Sequence, residues 1–157
     1  MVSTSSQGEG TSSALTTSFS NMEGSQGEDS SVVFSDRSGS PILKNTGYVA
    51  IGTFKLSREQ IGSLSSASDL DAAFDQFGAA TNFNSIENGA FQGSASGDPA
   101  ELYDGVNSFA GSKVYIVIGN GSDLITSSEF LVWDSELIFD GTGPTGGPWE
   151  VVLSVDS

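Results

Sequence analysis

Residues 113–124 read KVYIVIGNGSDL, an apolar run from Val114 to Ile118 that passes straight into Gly119-Asn120-Gly121. A strand ending on G-x-G is how a dinucleotide-binding domain enters its phosphate loop. This stretch therefore separates a cofactor-dependent α/β enzyme from a corner in a β-sheet. The first two glycines of G-x-G-x-x-G are present, but Leu124 stands where the third belongs. That third glycine is what lets helix and strand pack closely. Asp134, Glu136 or Asp140 lies near the distance of the ribose-binding acid, although a chain this rich in carboxylates supplies one by chance. The following residues, SDLITSSEFLVWD, leave room for about one helical turn before the next strand, whereas a parallel crossover needs about a dozen residues or more. The stretch thus reads as a buried strand and a turn in which Asn120 or Gly121 supplies a positive φ. No bound cofactor is expected.

Outward from this strand, the chain from Ser31 onward alternates short apolar runs with Gly, Asn, Ser and Asp, the texture of an all-β domain. Strands are expected at 32–35, 47–54, 90–96, 113–119, 129–134, 137–139 and 149–155. In GYVAIGTF, both Tyr48/Ala50/Phe54 and Val49/Ile51 are apolar, so both faces are covered and the strand is central. Ser57-Arg58-Glu59-Gln60 has the form of a capping box and predicts a short helix ending near Leu64. A second helix is predicted with Ser68 as its cap. Leu70, Ala73, Phe74 and Phe77 form its stripe, and Gly78 is its stop. The expected fold is mainly β: an antiparallel β-sandwich with two short helices over residues 31–157, preceded by an extended arm over residues 1–30.

The arm is rich in Ser, Thr, Gly, Gln and Glu, with isolated apolar residues at Val2, Leu15, Phe19 and Met22. Two roles are open to it: a segment that packs on a neighbouring surface, or a solubilising tail. Trp149 follows the Gly-Pro-rich segment 140–148 and has a similar choice between core and interface. The candidate partner-binding residues are therefore Leu15, Phe19, Met22 and Trp149.

The chain has 157 residues, with 20 acidic against five basic side chains and a net charge of −15, which repels nucleic-acid backbones. It contains no His and no Cys, which excludes a Ser-His-Asp triad, a Cys nucleophile, the usual zinc sites and a disulfide. No apolar run approaches the roughly 18 residues of a membrane span. Carboxylate pairs can hydrolyse glycosides without His, and Asp69/Asp71/Asp75, Glu101/Asp104 and Asp134/Glu136 are the candidates. Each has a simpler place at a helix N-terminus or beside a turn, so no catalytic residue is assigned. The Asp-rich loop of a calcium site is missing as well, and no metal ligand is assigned.

The order of motifs GYVAIGTF, SDLDAAFDQFG, GAFQGSAS, FAGSKVYIVIGNGSDLITSSEFLVW and LIF, over residues 41–139, resembles a domain of PEP-CTERM-associated bacterial surface proteins. Similar domains occur among virion structural proteins of cyanophages. The resemblance implies a β fold and carries no catalytic residues. The ends show neither an export signal nor a Pro-Glu-Pro sorting segment, which shifts the expectation toward the virion. What the resemblance implies is a non-enzymatic capsid-exterior decoration protein. Its partner would be the major capsid protein or another shell protein, with self-association a second option, and with neither nucleic acid nor membrane as partner. The alternative is an extracellular bacterial surface, matrix or adhesin module, or a carbohydrate-binding domain.

Overall fold

The computed structural model describes residues 15–21, 34–84, 89–140 and 147–153. The described elements are, in chain order, β1 (Leu15–Ser20), β2 (Tyr48–Phe54), α1 (Arg58–Gly62), α2 (Ala67–Ala73), β3 (Phe74–Gln76), β4 (Gln92–Gly97), β5 (Lys113–Gly119), β6 (Phe130–Ile138) and β7 (Glu150–Val152). They form a mainly β molecule of two sheets, a three-stranded one in the order β4-β1-β7 and a four-stranded one in the order β3-β2-β5-β6. All pairs are antiparallel except β1 with β7, which run parallel from Ser18↔Glu150 to Ser20↔Val152.

The two faces of the larger sheet follow from the alternation in β2 and β5. Val49, Ile51, Val114, Ile116 and Ile118 point toward the smaller sheet and meet Leu15, Phe19, Ala95, Val151 and Leu153. Six buried phenylalanines belong to this layer, with Phe77 packed on Phe109 and Phe139 at ring-centroid distances of 5.1 and 4.8 Å. On the opposite face, Ala50, Tyr115 and Val117 are covered by Ile61 of α1 and Leu70 of α2. The KVYIVIG strand is therefore buried on both sides, the position its unbroken apolar run requires.

Several expectations differ from the structure. The boundary at residue 30 does not hold, because β1 lies within residues 1–30 and is the middle strand of the smaller sheet. Leu15, Thr17 and Phe19 point inward and are buried, while Thr16, Ser18 and Ser20 line the other side. The second helix is shorter than its stripe suggested: Ser66, not Ser68, caps it, accepting the Asp69 N–H at 3.1 Å. It ends at Ala73, because Phe74 turns into β3 and pairs with Phe54. Phe74 and Phe77 consequently serve different cores. The two predicted strands at 129–134 and 137–139 are one strand with a bulge. Between the pairs Tyr115↔Asp134 and Lys113↔Ile138, Val114 alone faces Ser135, Glu136 and Leu137, and Glu136 takes φ 63°. The expected strand at 32–35 contributes only the Ser35–Pro41 bridge, with Val32 and Val33 outside the described residues.

Candidate partner-binding surface

The Gly-Asn-Gly corner is built by close approach. Neither Asn120 nor Gly121 has a positive φ, which corrects the expected turn geometry. A Cβ on Gly119 would strike the Ser127 hydroxyl, and one on Gly121 would lie 2.6 Å from Thr126 Oγ1. The corner closes on itself instead. Asn120 Oδ1 accepts the N–H groups of Ser128 and Glu129 at 2.9 and 3.1 Å, and Asp123 Oδ1 accepts the Thr126 N–H at 2.9 Å. Side chains committed in this way hold a loop, and no helix follows to receive a pyrophosphate.

Two of the carboxylate candidates, Asp104 and Asp134, are likewise taken up locally. Asp104 accepts the N–H groups of Asn107 and Val106 at 2.6 and 2.8 Å and pairs with Lys55 Nζ at 3.1 Å. These hydrogen bonds, led by the Asn107 N–H, hold its carboxyl well below the usual carboxylate range. Asp134 pairs with Lys113 Nζ at 3.0 Å and accepts the Glu136 N–H at 2.8 Å across the bulge. Burial pushes the Asp75 carboxyl up. Among the described residues, no three acidic side chains are grouped to hold a metal ion.

Of the four residues chosen from sequence for partner binding, Leu15 and Phe19 are spent on the core, each 1% exposed. Their assignment as docking side chains is corrected on that ground: an anchor cannot be in the sandwich and on a partner at once. Met22 lies outside the described residues. Trp149 is 65% exposed, which removes the core alternative for it. Val151 and Leu153 supply the buried side of its segment.

The backbone at Trp149 is firmly held although its indole is free of the core. Its carbonyl accepts the Ser18 N–H at 2.8 Å and the Ser18 hydroxyl at 3.2 Å, and the Pro148 carbonyl accepts the Thr17 hydroxyl at 2.7 Å. No protein-family model, curated protein or solved structure matches this chain. The site is therefore read from its own geometry. Trp149 thus presents an aromatic side chain on a fixed backbone, beside an edge strand with no second neighbour among the described residues. The edge of β6 also exposes Leu131, Leu137 and Ile138. Its bulge and the exposed charge of Glu136 blunt it against strand pairing.

Sequence reasoning missed a second feature, an uncharged cleft of about 590 Å³ that includes Asn45, Tyr48, Asn82 and Asn120. Its segments are far apart in the chain, and the pairing of Tyr48 with Gly119 across β2 and β5, together with the Val49–Thr81 bridge, brings them together.

Proposed function

We propose that this protein is a non-enzymatic virion structural protein, a decoration protein that docks on the major capsid protein from the capsid exterior of a cyanophage-like shell. The observation that carries this reading is Trp149: a large aromatic residue, 65% exposed, on a backbone pinned to the middle strand of a sheet. Such a side chain buries much apolar area on contact while losing little conformational freedom. The edge of β7, which has no second neighbour among the described residues, offers backbone groups next to it for strand addition. The motif order quoted above supports the same class of partner.

The net charge of −15 fits the outer position. A strongly acidic coat keeps particles apart by mutual repulsion and leaves the nucleic acid inside the shell without attraction to it. In this reading the footprint is Trp149 and the β7 edge. β1 takes no part in docking beyond holding that edge in place.

Mixing the purified protein with undecorated shells and counting bound copies after sedimentation tests the reading. The expected result is saturation at a fixed ratio to the major capsid protein. An intact protein that stays in the supernatant with every shell tried would end it.

A further inference from the structure

A cleft of about 590 Å³ opens where residues 45–48, 80–82 and 120–122 meet at the Tyr48↔Gly119 end of the larger sheet. Its lining contains no Asp, Glu, Lys or Arg, in a molecule whose net charge is −15. The walls are fixed by backbone bonds. Asn45 N–H donates to the Phe83 carbonyl at 2.6 Å, Phe83 N–H to the Thr46 carbonyl at 2.9 Å, and Val49 and Thr81 exchange bonds of 2.8 and 2.7 Å. A ligand meeting this frame finds it already formed.

The groups left over inside the frame define what it can hold. The side chains of Asn45, Asn82 and Ser122 make no hydrogen bond with the other described residues, so two carboxamides and a hydroxyl remain to donate and accept. Tyr48 is half-buried, and its hydroxyl donates to Gln76 Oε1 at 2.5 Å, which fixes the ring. Burial first, and then the charges of Asp71 and Asp123, push its phenol up to about 12, so it stays neutral. Phosphates and carboxylates need a cationic partner, and the lining offers none. A purely apolar ligand would leave the unpaired amides and hydroxyl without partners, and the lining mixes these groups with apolar surface. A neutral polyol satisfies both conditions, with hydroxyls for the amides and a C–H face for an aromatic ring.

We propose that this cleft binds a neutral oligosaccharide, with Asn45, Asn82 and Ser122 hydrogen-bonding its hydroxyls and the Tyr48 ring lying against one sugar face. Trp149 is not part of the lining, so glycan binding and shell docking stand or fall separately.

The test is an amide-resolved NMR titration of the full chain with cellotetraose, maltotetraose and N-acetylated chitotetraose, with a sulfated heparin tetrasaccharide as the anionic probe. At least one neutral saccharide is expected to shift the signals of Asn45, Asn82 and Ser122 in a saturable way, while heparin leaves them in place. Asn82→Ala combined with Ser122→Ala should weaken that binding by about tenfold or more, as expected on losing several hydrogen bonds, at an unchanged melting temperature. If neutral saccharides shift nothing in the cleft at millimolar concentration, the inference falls. It falls equally if heparin binds there more tightly, or if the double variant binds as well as the native chain.

Discussion

Thr53 sits fully buried on β2, and its hydroxyl has no hydrogen-bond partner among the described residues. A buried hydroxyl without a partner keeps its desolvation cost, so Thr53→Val should stabilise the protein by about 1 kcal/mol, read as a higher urea midpoint at unchanged slope. A lower midpoint would mean that the hydroxyl is satisfied in solution. Asn21 is the opposite case, buried but paired, with Nδ2 donating to the Gly89 carbonyl at 2.9 Å and Oδ1 accepting the Phe91 N–H at 2.8 Å. Neither state is legible in the sequence, because both depend on which strand lies opposite. The glycines of the Gly-Asn-Gly corner carry the same lesson. Their presence predicted a turn correctly, but the reason for them is the nearness of Ser127 and Thr126, which no local pattern encodes.

At the scale of elements, strands with strong apolar alternation were readable to within a residue or two, and KVYIVIG and YVAIGTF needed no correction. β1 was not readable. LTTSFS has the period-2 pattern of a half-buried strand, but only Leu15 and Phe19 are strongly apolar, and the Ser- and Gly-rich surroundings read as an arm. Its partner β4, QGSASG, is equally small and polar, and Gly93 stands opposite Phe19 in the same sheet. A Cβ on Gly93 would lie 2.9 Å from the Phe19 ring. The shortened α2 has a related cause. Phe74 fits the helical stripe, and the antiparallel pairing of β3 with β2 overrides that local preference. Because β1 belongs to the core, Phe19→Ala should cost about 3–5 kcal/mol, the usual penalty for emptying a buried aromatic site. Calorimetric melting checks this, and a loss under about 1 kcal/mol would return β1 to the status of a dispensable arm.

Across the whole molecule, the excess of carboxylates couples stability to pH through a few identifiable groups. Asp104 is held below its ordinary value, so its contribution is complete above the unfolded-state pKa of about 3.9 and fades as pH falls through the folded-state value. Asp75, pushed up by burial, works the other way: its ionised form disfavours folding, and acidification relieves that cost. Comparing the native chain with Asp104→Asn isolates the first effect. The gap in urea midpoint should be full above about pH 4 and close as pH drops further. A gap independent of pH would show that Asp104 acts only through packing.

Sequence composition made the charge plain from the start. Of the candidate partner-binding residues it offered, Trp149 is the exposed one among those described, and the proposed docking rests on it. The decisive measurement is the affinity of native protein and Trp149→Ala for undecorated shells, with melting temperature followed in parallel. A weakening of about 30-fold or more at equal stability is the predicted result, corresponding to the roughly 2 kcal/mol of an interface hot spot. Equal affinities would contradict the account, since the shell would then be gripped by some other surface.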